Sequence, residues 1–409
     1  MSESTIAPVM GVRKLPAELV DMIIDYLYDD SDALENCSLV CRTWLCASRF
    51  QLFRTTTLQQ CSRLLSLNKS LGRYVYDFRL GSAHSSRRDP IFAHPVLLSQ
   101  GLRNMSNLQV LKLHGTHFCV DPIPSKPCVP PLVGKLKYLE LENVGCLAEL
   151  PSDILHVLDL FSEIETVKLG TVISKVNKIE GTPLIKQYSC PHYKLALRVR
   201  IRSLIVDTQL PFLWCYLLRN SSAVTVLSQL TIKCKTVADA IGFQALVGRV
   251  GHKLTDLSID LVSVIMQSSI SQISSLWSTE TFSTCCQLET LEVIGYIAGS
   301  QAEDVDINGY FWRHLLRIIS YIPPSLKNLK LIINTPNKLL EALQDPFGLP
   351  WFHLEKTLSQ FVGIRTVTLV ADVKCIGKDF EECQRLIQGH LKDLHSRGRL
   401  HFVSHTSLS

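Results

Sequence analysis

Three apolar residues, spaced three and then two apart, recur ten times down this 409-residue chain, and nothing else in it limits the fold as much. The copies are Val75, Phe78, Leu80; Leu108, Leu111, Leu113; Leu136, Leu139, Leu141; Ile164, Val167, Leu169; and Ile201, Leu204, Val206. They continue as Leu227, Leu230, Ile232; Leu254, Leu257, Ile259; Leu288, Leu291, Val293; Leu326, Leu329, Leu331; and Ile364, Val367, Leu369. The last two members of each copy alternate as a strand with one buried face does. Helix-length segments precede most copies, for example 95–105, 151–161, 237–250 and 309–322. Helix, short turn and strand in repeated order predict parallel strands, because a strand reached through a helix re-enters the sheet in the same direction. One such unit cannot cover its own apolar face, so neighbouring units must stack.

The intervals between units run from 26 to 38 residues. The pattern resembles a degenerate leucine-rich-repeat array, often longer in period than the standard repeat and mostly lacking Asn after the strand. That resemblance implies an α/β fold, a solenoid whose curved parallel sheet lines its concave side. A layered α/β domain with crossover helices in another topology suits unequal intervals too. Segments 119–131, with five prolines, and 173–191 break the rhythm and read as surface loops. Toward the end, 374–399 is charged and helical, with Phe380, Cys383, Leu386, Ile387 and Leu391 on one side, which predicts a cap over the last repeat. Residues 404–409 read as a loose tail.

Residues 15–58 follow another rule, after fourteen residues without periodicity that read as a flexible tail. Pro16 suits the first position of a helix and Glu18 its first turn. Leu19, Ile23, Ile24 and Leu27 then share one face. After a turn at Asp29–Ser31, Asp32 with Glu35 predicts the cap of a second helix, and Ala47, Phe50 and Phe53 carry a third. Three helices in about forty residues bury too little surface to be comfortable alone, so their apolar excess calls for a partner.

The order LPAEL from Leu15, the pair Ile23 and Ile24, Tyr26 and Leu27, CSLVCRTW from Cys37 to Trp44, and LFR at 52–54 strongly resembles the F-box, in the version abundant in fungal proteins. The resemblance covers roughly a tenth of the chain. It implies a three-helix F-box over 15–58 that packs on a Skp-type adaptor through Leu15, Pro16, Leu19, Ile23, Leu39, Val40, Cys41 and Trp44. It also implies a cullin scaffold beyond the adaptor and a substrate-binding repeat domain over 59–403. In a generic helical cap on a larger domain, the same residues would simply be core.

Composition narrows the function. With 42 basic and 37 acidic residues, net charge +5 and no basic run, the chain lacks the electrostatic footprint of a nucleic-acid binder. At 46% hydrophobic and 19% charged it should fold. Fourteen scattered cysteines without a secretory signal read as reduced thiols. The most apolar region, 204–218, is interrupted by Asp207, Gln209 and Pro211 and is too short to span a membrane. A cytoplasmic or nuclear location follows.

Motifs for chemistry are weak. Asp304, Asp306, Asn308 and Gly309 open like an EF-hand loop, but Leu315 stands where the bidentate Glu is required. There is no paired C-x-x-C, G-x-S-x-G, phosphate loop or dinucleotide fingerprint. No cofactor, metal or catalytic set is expected, which leaves recognition. Between the buried positions, Lys112, His114, Tyr138, Glu140, Lys168, Lys233, Asp256, Glu292 and Lys330 should face outward and form a candidate substrate surface. Two readings stand: a substrate-recognition subunit of an SCF-type ubiquitin ligase, and a non-catalytic scaffold whose F-box-like helices act outside a ligase.

Overall fold

Twelve strands form one parallel sheet, and they pair in the order in which the chain makes them. The computed structural model describes residues 15–66, 69–81, 91–93, 95–118, 134–146, 152–174, 199–207, 217, 221–267, 282–296, 312, 315–316, 318–334, 339–344, 349–371 and 378–404. Three helices come first: α1 (Ala17–Tyr26), α2 (Ser31–Ser38) and α3 (Arg42–Arg54). Then follow β1 (Thr55–Leu58), α4 (Lys69–Gly72), β2 (Asp77–Leu80), β3 (Ile91–Ala93), α5 (Pro95–Leu102), β4 (Val110–His114), β5 (Thr116–Phe118), β6 (Gly134–Glu142) and β7 (Val144–Cys146). The middle holds α6 (Ser152–Leu158), β8 (Phe161–Leu169), β9 (Val172–Ser174), β10 (Arg200–Val206), β11 (Gln229–Lys233), α7 (Val237–Val250), β12 (Asp256–Asp260), α8 (Val262–Gln267) and β13 (Thr290–Tyr296). The last part holds β14 (Asn328–Asn334), α9 (Leu339–Gln344), α10 (Trp351–Ser359), β15 (Thr366–Ala371), α11 (Lys378–His390), α12 (Lys392–Ser396) and β16 (Leu400–Ser404).

The sheet runs β1-β2-β4-β6-β8-β10-β11-β12-β13-β14-β15-β16 and never doubles back, as a solenoid-like array requires. Its register aligns the expected triplets. Phe78, Leu111, Leu139, Val167, Leu204, Leu230, Leu257, Leu291, Leu329 and Val367 form one continuous row across it. All ten are buried, and with the apolar residues of the helices they belong to one contiguous core from Cys61 to Leu394.

Two strands exceed the expected ten, and the same register says why. In β1 the middle position is Thr56, whose hydroxyl donates to the Phe53 carbonyl at 2.9 Å. In β16 the first position of the triplet falls on Arg397, with Leu400 and Phe402 following in register. The expected terminal cap is therefore corrected. Helices α11 and α12 do form, with Cys383, Ile387 and Leu391 buried, but they lead through Gly398 (φ 66°) into a further strand. Ser404 thus belongs to the sheet, while 405–409 lie outside the described residues. Likewise α6 stops at Leu158, and Phe161 opens β8 where a helix end was expected.

A second parallel sheet, β3-β5-β7-β9, follows tight corners after the early strands. At Gly81 (φ 88°) a Cβ would stand 2.0 Å from the His114 carbonyl oxygen, so only glycine fits. Asn143 holds a left-handed corner at φ 54°, a conformation Asn tolerates better than most residues. These three-residue strands are too short to leave a periodic trace in sequence. The proline-rich segment 119–131 and most of 173–191 lie outside the described residues, as do Asp304, Asp306, Asn308 and Gly309.

The helical module has its own small core of Val20, Ile24 and Leu34, against which Leu27, Cys37, Trp44, Ala47 and Leu52 pack. Gln51 Nε2 donates to Asp25 Oδ1 and ties α3 to α1. Helix α2 is capped two residues earlier than expected. Asp30, not Asp32, accepts the Ala33 amide at 2.9 Å, because it sits just outside the helix while Asp32 already lies in the first turn. No residue separates α3 from β1, so the sheet begins inside the segment 15–58. The Arg54 guanidinium at this junction lies 5.8 Å from the Phe50 ring centre and 5.7 Å from that of Tyr76, bracing the helix end against the start of the sheet.

Leu139 lies inside the apolar row, between Leu111 and Val167, with no exposed surface. Replacing it with Ala should cost about 2–5 kcal/mol, read as a lowered urea midpoint. A variant as stable as the parent would contradict the stacked-row account of the core.

Candidate functional site

The first surface is built by α1. Its Val20 and Ile24 point into the module, whereas Leu19, Met22, Ile23 and Tyr26 recur at helical spacing on the side turned to solvent. Leu15 extends this stripe, and Leu39, Val40 and Cys41 add exposed residues at the turn between α2 and α3. Leu39 is 82% exposed and Leu19 45%. Among the described residues nine of fifteen exposed large hydrophobics lie between Leu15 and Phe50, the kind of clustering found at interaction surfaces.

Seven of the eight residues expected to dock a partner are therefore exposed: Leu15, Pro16, Leu19, Ile23, Leu39, Val40 and Cys41. Trp44 is half-buried and packs against the module's own core, so its loss would disturb folding as well as any interface. Met22, Tyr26, Tyr28 and Phe50 are exposed apolar residues outside the eight expected to dock a partner, although Tyr26 stands in the motif itself. Met22 and Tyr26 were open to detection, since they fall three or four residues from Leu19 and Ile23 on one helical stripe.

The second surface is the face of the large sheet turned away from the core. One outward row runs Thr57, Arg79, Lys112, Glu140, Lys168, Ile205, Thr231, Ser258, Glu292, Lys330, Thr368 and His401, each beside the next. The candidate surface residues sit here as expected, but they are spent largely on one another. Glu140 takes an ion pair from Lys168 at 2.8 Å and stands 3.9 Å from both Lys112 Nζ and His114 Nε2. Lys112 also lies 5.8 Å from the Tyr138 ring centre. Farther along, Lys330 pairs with Glu292 at 2.7 Å, the Ser258 hydroxyl donates to Glu292 at 2.8 Å, and Lys233 pairs with Asp260 at 3.6 Å. Asp256 accepts from the Thr255 hydroxyl at 2.7 Å and from Gln229 at 3.4 Å. Opposite charges on adjacent strands are the sheet's counterpart of helical ion pairs, so these side chains stabilise the sheet while lining its face.

Protonation follows from the same contacts. Burial opposes ionisation of Glu140, yet the Lys168 hydrogen bond and the nearby charges of Lys168, His114 and Lys112 outweigh it and hold the carboxyl below its ordinary range. The hydrogen bond to Glu140 raises Lys168. For His114 burial dominates and lowers its pKa, with Glu140 and Glu142 only partly offsetting.

No protein-family model matches this chain, and no curated protein matches it. Among the described residues, no helix is long and apolar enough to cross a membrane.

The lowered pKa of His114 gives a pH signature. A group that binds its proton less readily when folded supports stability above its ordinary value, here 6.5, and that support drains away as pH falls through its folded value. Urea midpoints should decline below pH 6.5. The decline should be shallower in His114→Gln, and equal slopes in the two proteins would show that His114 does not contribute.

Proposed function

We propose that α1–α3 are an F-box that docks on a Skp-type adaptor, and that the strand array is a degenerate leucine-rich-repeat domain that presents a protein substrate within an SCF-type ubiquitin ligase. The observation that carries this reading is the apolar stripe of Leu19, Met22, Ile23 and Tyr26 beside exposed Leu39 and Val40, on a module whose own buried core is three residues. A large uncovered apolar face on so small a unit is what an adaptor-docking module needs, and its order of motifs resembles the F-box. The array in turn offers a wide surface that stacked strands hold rigid, able to bury the roughly 800 Å² per partner of a stable interface. On this reading the chain is a non-catalytic receptor: one surface holds the complex and the other chooses the substrate.

Leu19→Ala combined with Leu39→Ala tests the docking surface, since both side chains are exposed and neither supports the module's core. Adaptor binding should weaken more than about tenfold while the melting temperature stays put. Unchanged affinity would refute the assignment. Copurification from cells should recover the adaptor together with a cullin. An adaptor without a cullin would favour a scaffold acting outside a ligase.

A further inference from the structure

The large sheet has two border strands, each entered from a helix: α3 runs directly into β1 at its start, and α11 and α12 precede β16 at its end. The phase of pairing shows which backbone groups the β16 border exposes. Val367 stands beside Leu400, and the Arg399 carbonyl accepts the Val367 amide at 2.8 Å. In a parallel ladder this phase turns the amides and carbonyls of His401 toward β15 and those of Leu400, Phe402 and Ser404 outward. Among the described residues no strand lies beyond them.

Natural sheets blunt such an edge with lysines, prolines, bulges or inward charges. The sequence of β16 is LHFVS, with no proline, carboxylate, ammonium or guanidinium group. Its side chains are equally unfinished. Leu400 and Phe402 are only partly buried where they pack on the end of the core, and Phe402 stacks on Phe380 of α11 at 4.8 Å. An occupant must therefore bring a short strand with apolar residues at alternate positions and no charge to bury.

We propose that this occupant is a second copy of the chain, paired antiparallel through β16 about a two-fold axis at Phe402. The strand is its own complement. With the axis there, Phe402 faces Phe402, Leu400 faces Ser404 and His401 faces Val403, so no like charges oppose. The three outward-turned residues become the hydrogen-bonded pairs of an antiparallel ladder, and the two Phe402 side chains meet on the core side. The contact uses the same edge of both copies and closes as a dimer, joining two twelve-stranded sheets into one with β1 at either far end.

Sedimentation equilibrium on the full chain across a hundredfold range of concentration tests this. Wild type should pass from monomer to dimer, with the Leu400 and Phe402 amides exchanging freely in dilute solution and slowly when concentrated. Ser404→Pro removes an outward amide without touching the bonds to β15 and should weaken the dimer about tenfold or more. The double variant His401→Lys, Val403→Lys places lysines opposite lysines and should do the same, which guards against Ser404→Pro failing to fold. The proposal falls if wild type stays monomeric, if Leu400 and Phe402 are protected in the monomer, or if both variants dimerise like wild type. It falls equally if the dimer is lost on Leu39→Glu in the helical module and kept in the β16 variants.

Discussion

Everything in this protein rests on strands that lie side by side in register, so that one apolar residue from each unit joins a row running the length of the sheet. A unit contributes a strand and a helix, and neither has enough apolar surface to fold alone. Stability is therefore shared between neighbours. The loops are released from that duty, which is why intervals of unequal length leave the register undisturbed except for one irregularity at Gly134/Lys135.

The same register shapes the face that looks away from the core. Because Lys112, Glu140 and Lys168 stand abreast, each finds its counter-charge on the adjacent strand. The face carries many charged groups and little uncompensated charge. A ligand that engaged Lys168 would compete with Glu140, so recognition there would depend on shape and hydrogen bonding more than on net charge. The apolar face of α1 is the opposite case. Among the described residues its side chains have no counterpart, and the gain from covering them is available to whatever docks.

Much of this was legible in the chain itself, because burial leaves a period. The ten triplets located ten strands, and the residues between them did point outward. What failed to show was local or relational. Thr56, which pairs within β1, and Arg397, which lies before β16 at the end of α12, broke the apolar template and hid both strands. The three-residue strands of the second sheet carry no period at all. The exposed stripe on α1 was half visible: Leu19 and Ile23 were expected to dock a partner, while Met22 and Tyr26, open to detection by their spacing, joined them once Val20 and Ile24 were seen turned inward. Trp44 was expected to dock because it matches the motif; the structure shows it half-buried against the module's own core, a contact that leaves part of the side chain open. The ion pairs were out of reach for another reason. Lys168 and Glu140 lie 28 residues apart, and only the strand register brings them together.

The continuous passage from α3 into β1 carries one more consequence. Thirteen helical residues make a rod about 20 Å long, and with no residue between it and the first strand there is no swivel at the joint. Anything seated on the helices is surveyed from the same fixed origin as anything held by the sheet. Distance and angle between the two surfaces are then set by the fold and not by a tether. Inserting a few glycines between Arg54 and Thr55 would leave both seats intact and take away only their common bearing.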